Sequence, residues 1–496
     1  MNLHHPNYLR DYETALSGLK TDTGNIDLKY NAVLALARMG STHLALSEYN
    51  HYGLDKVQGH EDIMSLNGRL SKDLYLRSTG AEALEHARDS AQKYEAAFKH
   101  TKGYYSGINA ATMGYLAEMP WDILKGRIDT ILALLPPTEN LSPEDHYFIE
   151  ATRAECHLLL GQLTPTKEFL RNAIDFDPLN FTAHASTLKQ FGLILEKRAT
   201  DRSWLDRFKP PRPVHFAGHI WQHSTKIDEN LPIRLSDEIQ ANDIGFGYGA
   251  LAAGADIVMA EALLSEGAEL NIILPSDAPS FIEKSVKPFG DDWVTRFHAC
   301  LKQSHSLTTL PSNSLSSFEA NTILGAQMAM GQAILRSETL HVKPMQFLIN
   351  DPALKNSFTA HHKDDWSKTN FSNVDVFFQK DLPQNPSRSY EHDSIPVLVS
   401  HSGQDKVEKH KDLQSALEAV EASQADMFSL EYGMNGAEDT LTSLMAYNNT
   451  GNILVSEAIA SSVALKNHGE YDIMFAGMAN RAEGEPVRCY NLWPLT

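Results

Sequence analysis

The sequence predicts a multidomain chain of class α + α/β. It reads as an N-terminal α-solenoid over residues 1–200, a linker over 201–213, a three-layer α/β domain over 214–344 and an α+β domain over 345–496. Three observations carry this division. From Tyr8 to Leu195 apolar residues recur at helical three-and-four spacing, with short polar turns between the runs. The stretch DRSWLDRFKPPRP at 201–213 is charged and proline-rich, which breaks helices and suits a linker. Beyond it, strand-like and helix-like runs alternate, as packed layers require.

The 496 residues suffice for about three domains of ordinary size. A hydrophobic content of 42% is ample for packed cores. With 43 basic against 63 acidic residues the formal charge is −20, which repels nucleic-acid backbones and anionic membranes. The cysteines Cys156, Cys300 and Cys489 lie far apart, so they suggest neither a disulfide framework nor a zinc knuckle, and a reducing cytoplasm fits. The start MNLHHPNYLRDYETAL has no basic segment leading into an apolar core, and no run approaches the ~18 apolar residues of a membrane span. A soluble cytoplasmic protein is expected, with neither nucleic acid nor membrane as partner and with self-association left open.

In the helical part, Leu28, Ala32, Ala35, Gly40, Ala45 and Tyr49 form the small-residue pattern of a tetratricopeptide-like helix pair. Ala151, Leu160, Gly161, Ala173 and Pro178 repeat it. Such pairs, with a period near about 34 residues, stack because none can bury its apolar face alone. The segments 66–73 (LNGRLSKD) and 103–112 (GYYSGINAAT) resemble the TRAFs-binding domain of apoptosis signal-regulating kinases and many bacterial signalling proteins. The resemblance covers about residues 25–195 and implies a scaffold or regulatory role. Tyr104, Tyr105 and Asn109 are then candidate contacts to a protein partner, with inter-helix packing as the plainer reading.

In the middle block the run 244–275 reads as turn, helix, stop and strand. Gly245, Gly247, Gly249 and Gly254 space the turn, 255–266 forms the helix, Gly267 stops it, and the apolar strand 270–274 ends at Pro275. Glycines let backbone come close to a ligand, and the first turn of a helix offers unpaired N–H groups to phosphate. A second strand, 214–217, ends in Gly218-His219, so two strand ends converge where open α/β sheets bind ligands. The run GALAAGADIVMAEALLSEGAELNIILP resembles the SLOG superfamily of Rossmann-like, nucleotide-handling proteins over about residues 212–305. That resemblance implies ligand contact by Gly218, Gly247, Gly249, Gly254 and Asp256, and His219 is a further candidate. Asp256 has a capping role as its alternative. Glu261 and Asp277 are candidate catalytic carboxylates for cleavage of an N-glycosidic or phosphoribosyl bond.

His215, His219 and His223 are spaced by four, but a strand followed by a turn is expected to scatter them, so no metal site is expected. His361 and His362 fall in a polar stretch, 359–373, expected as an exposed loop, as is 383–393. The third block offers strands at 346–349, 374–378, 396–400, 427–430, 453–455, 473–476 and 487–492, and helices at 405–422 and 438–447. Its end, from TGNILVSEAI through YDIMF to VRCYNL, resembles the tail of class III nucleotide cyclase domains over about residues 395–494. Asp351 stands where such an enzyme has its first metal-holding aspartate, but no Gly-Asp-Gly turn follows and Gly403-Gln404-Asp405 substitutes poorly, so the resemblance implies a degenerate, inactive domain. No Gly-x-Ser-x-Gly elbow, P-loop or His-Glu-x-x-His is present.

These readings converge on a signalling protein whose solenoid binds a protein partner and whose middle domain senses a nucleotide-derived ligand, with no resident cofactor fixed and NAD or ADP-ribose as model ligands. The alternatives are a nucleotide-processing hydrolase using Glu261 or Asp277, and a scaffold without ligand.

Overall fold

The computed structural model describes all residues except 1–6, 138–140, 223–227, 312–316, 352–356, 378–394, 403–406, 424, 426, 449–452, 483–484 and 496. It divides into two units, Met1–Pro210 and Pro211–Thr496.

The first unit is helical: α1 (Tyr8–Thr21), α2 (Ile26–Arg38), α3 (Thr42–His51), α4 (Glu61–Tyr75), α5 (Gly80–Thr101), α6 (Tyr104–Leu116), α7 (Trp121–Leu134), α8 (Pro143–Leu159), α9 (Leu163–Phe176) and α10 (Phe181–Lys197). Neighbours in sequence pack as pairs, α4 on α5 and α8 on α9 most extensively. The Asn25 side chain accepts the Leu28 N–H at 3.0 Å and fixes the start of α2. Ser142 caps α8, with Pro143 in its first turn. The small residues permit the close crossings: a Cβ on Gly68 of α4 would lie 2.7 Å from the Tyr94 ring of α5. The expected linker is not free chain throughout, because Ser203–Phe208 forms a 3-10 turn whose Leu205 and Phe208 are buried in the helical core.

The second unit begins with a six-stranded sheet built from β1 (Arg212–Gly218), α11 (Leu231–Ala241), β2 (Ile244–Gly249), α12 (Ala255–Ser265), β3 (Glu269–Leu274), α13 (Ala278–Ser285), α14 (Asp291–Gln303), β4 (Ser306–Thr309), α15 (Phe318–Leu340), β5 (Met345–Asn350), α16 (Phe358–Ser367) and β6 (Ser372–Phe377). Its order is β4-β3-β2-β1-β5-β6 and every pairing is parallel. Helices α11, α12 and α14 cluster together, with α12 lying on β1, β2 and β3, while α15 and α16 form a second group against the sheet.

Several expectations change here. The glycine-spaced run 244–249 is strand β2, not a turn. Period-two alternation puts Gly245, Gly247 and Gly249 on one face and Phe246 and Tyr248 on the other. The bare face lets α12 settle close, so that a Cβ on Gly247 would lie 2.6 Å from Leu263. On the aromatic face the Arg336 guanidinium of α15 sits 4.7 Å above the Phe246 ring. Helix α12 is buried nearly all round, which explains its almost unbroken apolar sequence.

The boundary expected at 344 falls inside this sheet. Strand β5 pairs with β1, from Val214↔Met345 to Gly218↔Ile349, and its Met345, Phe347 and Ile349 join the core of Val214 and Phe216. The break in the apolar pattern at His341 is only the left-handed C-cap of α15. The expected loop 359–373 is α16 followed by the start of β6: Ser357 caps the helix and buried Trp366 anchors it, its indole N–H donating to Ser372 O at 3.1 Å. The other expected loop, 383–393, lies outside the described residues.

A second six-stranded sheet follows, from β7 (Val397–His401), β8 (Glu408–His410), α17 (Leu413–Ala422), β9 (Phe428–Tyr432), α18 (Ala437–Tyr447), β10 (Ile453–Ser456), α19 (Glu457–Lys466), β11 (Tyr471–Ala479) and β12 (Val487–Pro494). Its order is β11-β12-β10-β9-β7-β8, with β9 and β10 parallel and the other pairs antiparallel. The helix expected from residue 405 starts at Leu413, because Asp412 and Ser415 form a capping box and 408–410 is already committed to β8. Helices α15 and α19 join the two halves, so closely that a Cβ on Gly331 would lie 2.0 Å from Ser461 O.

Candidate functional site

In the first sheet the chain leaves β1 toward β2 on one side, while β5 pairs on the other, so the carboxyl ends of β1 and β5 flank the topological switch point where such sheets bind ligands. The predicted glycine positions meet only in part. Gly218, Gly249, Gly254 and Asp256 come together near this edge, whereas Gly245 and Gly247 lie back along β2 against Pro211 and Leu263.

The amides expected to face an anion are engaged by the protein itself. Gly218 N–H donates to Asp256 Oδ1 at 3.0 Å and Ala252 N–H to Asp256 Oδ2 at 3.2 Å. Ala255 N–H donates to His219 O and Ala253 N–H to Ser285 O. Gly254, at φ 100°, makes the approach to β1 feasible, since a Cβ there would lie 2.8 Å from Trp221 N. Burial pushes the Asp256 carboxyl up to about 7 against the lowering effect of its two N–H donors. Asp256 is therefore a buried tie that fixes where β1 ends and His219 begins.

Beneath α16 lies a polar group that sequence reasoning did not assemble. His219 Nε2 is 3.3 Å from Asn350 Oδ1 of β5, and its Nδ1 is 3.3 Å from Thr359 Oγ1 of α16. One layer deeper, Gln346 Nε2 is 3.2 Å from His215 Nδ1 and donates to His362 O at 3.0 Å. His215 stacks on Trp366 and meets His362 edge-on, with ring centroids 5.7 Å apart. The two histidines are not scattered as expected: residues four apart in an extended strand share a face, and both turn toward α16. Gln346 and Asn350 have the same spacing on β5, and polar residues at i and i+4 in otherwise apolar strands were the readable signal. His223, the third of the series, lies outside the described residues. His362 is not in a solvated loop; both ring nitrogens are buried without a hydrogen-bond partner, as is Gln346 Oε1. Burial lowers all three histidines, His362 to about 4, so each is neutral near pH 7.

The two candidate catalytic carboxylates lie elsewhere and are occupied. Glu261 accepts a bidentate pair from Arg296 of α14, at 2.7 and 2.5 Å, and that guanidinium also covers the Trp293 ring at 4.2 Å. Asp277 caps α13 through the Ser280 N–H at 2.9 Å, which holds its carboxyl below the ordinary range. Asp351 follows β5 in the first sheet, so it belongs to no strand of the second sheet. Gly403-Gln404-Asp405 falls outside the described residues.

In the helical unit Asn109 is buried: its Oδ1 accepts from Lys72 Nζ at 3.1 Å and its Nδ2 donates to Tyr105 O at 3.0 Å. Lys72 also donates to Gln190, whose Nε2 donates to Glu155 Oε1 at 2.8 Å, and Thr112 donates to the same carboxylate. This network ties α4, α6, α8 and α10. Tyr104 is half-buried, while Tyr105 is 46% exposed with its ring edge-on to Tyr94.

Residues 7–114 match the family model described as Tetratricopeptide Repeats-Sensor. No curated protein matches the chain. Among solved structures, a thermophilic TPR protein of Thermus thermophilus is 14% identical over 37% of this chain and 90% of its own, with a TM-score of 0.30, too slight to support an argument. The N-terminal helical repeats are tetratricopeptide-like.

Proposed function

We propose that the chain is a signalling or regulatory protein that works in the cytoplasm. Its helical repeats bind a protein partner, with exposed Tyr105 as one contact, and its first sheet senses a nucleotide-derived ligand at the β1/β5 switch point. The observation that carries the reading is the convergence of His219, Asn350 and Thr359 at the carboxyl edge of a wholly parallel sheet. The word sensor in the matched family's description agrees with it, as does the likeness of 212–305 to SLOG proteins. On this reading the ligand meets neutral histidine and amide groups, and Asp256 and Gly254 act by positioning His219. The second sheet serves as a non-catalytic regulatory partner. Glu261 and Asp277 give the hydrolase alternative little support, because neither belongs to the His219, Asn350 and Thr359 group: Glu261 pairs with Arg296 of α14 and Asp277 caps α13.

The test is a thermal-shift series on the full chain with nucleotides, NAD and ADP-ribose, accompanied by chromatography for products. Ligand at a hundred times its dissociation constant stabilises the folded state by about 2.7 kcal/mol. A shift without product, lost in His219→Ala and Asn350→Ala, is the expected result. No shift with any ligand, or equal shifts in wild type and both variants, removes the sensor; product formation replaces it with the enzyme.

A further inference from the structure

The second unit holds a cleft between the end of β4 and the start of α18. Its cavity, of about 610 Å³, is lined by Thr309 and Pro311 from the carboxyl end of β4 and by Asn435, Gly436, Asp439, Arg481 and Ala482 from the second sheet's side. That volume is in the usual range for a small-molecule site. The first-sheet wall is braced by Asn321 of α15, whose Nδ2 donates to Pro275 O at 3.2 Å and Pro311 O at 3.4 Å, joining the ends of β3 and β4.

Arg481 gives the cleft its chemistry. Its Nε donates to Glu485 O at 3.0 Å and its Nη1 to Thr440 Oγ1 at 3.4 Å, which orients the guanidinium without neutralising it. Among the described residues Arg481 makes no ion pair, although its charge reaches the buried Glu431 carboxyl and helps to lower it. A Cβ on Gly436 would lie 3.7 Å from Nη1, so the cation stands beside the start of α18, where Gly436 supplies no side-chain cap. At that helix start the Ala437 N–H already donates to Met434 O and the Thr440 N–H to Gly436 O, so the turn contributes its dipole and Arg481 the grip. Asp439, which accepts the Ala482 N–H at 3.4 Å, is the one acidic wall residue and limits how much negative charge the cleft tolerates.

We propose that this cleft binds a small ligand through an oxyanion group, phosphate or carboxylate, gripped by Arg481. The site is separate from the switch point and does not depend on the reading of His219.

The test uses the full chain at matched ionic strength, with inorganic phosphate and acetate as separate probes measured by titration calorimetry and thermal shift. Saturable binding of at least one probe is expected, and which probe binds tells the phosphate source from the carboxylate source. Arg481→Gln should weaken binding at least tenfold, while Asp439→Asn, which keeps the acceptor for Ala482 N–H but removes the like charge, should tighten it severalfold. His219→Ala should leave it unchanged. Absence of saturable binding by either probe overturns the proposal, as does equal binding by wild type and Arg481→Gln. If Arg481→Gln misfolds, the Asp439→Asn response decides: no gain in affinity overturns it.

Discussion

Asp256 offers the sharpest test of how the first sheet is tied together. Its folded carboxyl sits at about 7 against an ordinary 3.8. An acid raised on folding adds stability that is fully present below pH 3.8 and is lost as pH rises through about 7. At 1.36 kcal/mol per pH unit the loss comes to about 4 kcal/mol. Asp256→Asn removes the charge but only one of the two acceptors: its oxygen still accepts one backbone N–H, while its NH₂ faces the other donor against donor, at a cost that does not vary with pH. The stability of the variant relative to wild type should therefore rise by about 4 kcal/mol between pH 4 and pH 8. Taking the difference between them cancels every other titrating group. Urea unfolding followed by tryptophan fluorescence reads it, since Trp221, Trp293, Trp366 and Trp493 all lie in the second unit. A difference that stays constant from pH 4 to pH 8 would mean that the two N–H donors outweigh burial, and the buried-tie account would be wrong.

The histidines under α16 predict the opposite slope. His362 has a folded value of about 4 against 6.5, so its share of stability is present above pH 6.5 and is lost as pH falls toward 4, by about 3 kcal/mol; His362→Leu should flatten that acid limb in a pH series of melting temperatures, and an unchanged limb would count against it. Gly331→Ala should cost about 1–3 kcal/mol by thermal denaturation, because its Cβ would stand 2.0 Å from Ser461 O; a neutral result would mean that α15 and α19 are not in contact. Lys72→Met should cost about 1–3 kcal/mol in urea by leaving Asn109 Oδ1 and Gln190 Oε1 without their donor, with part recovered in the double variant Lys72→Met/Glu155→Gln; a simple sum of the two single effects would deny the network. Glu261→Gln should cost no more than about 1 kcal/mol, the pair with Arg296 being half-exposed, and should leave ligand response unchanged; loss of that response would restore Glu261 to the site.

The helical half was legible because each helix carries its own periodicity and caps, as Asn25 and Ser142 show, and because the Gly68 crossing against Tyr94 follows from local small-residue spacing. The α/β half was legible in its elements more than in their assembly. Gly245, Gly247 and Gly249 signal a close approach, but not whether ligand or protein approaches, and what comes close is Pro211, Leu263 of α12 and Phe216 of β1 in turn. The same ambiguity governs Asp256, since a carboxylate at a helix start reads alike whether it faces a ligand or Gly218 N–H. The boundary at 344 failed because strand pairing is non-local: β5 joins β1 about 130 residues away, and nothing between Leu340 and Met345 records it. The histidine group was missed for the same reason. Its members come from β1, β5 and α16, and each is unremarkable in its own segment. Only the period-two match of His215 with His219 and of Gln346 with Asn350 hints that two strands turn polar faces toward one helix. That spacing rule applies before any coordinates exist, and here it points to the carboxyl edge on which the proposed sensor depends.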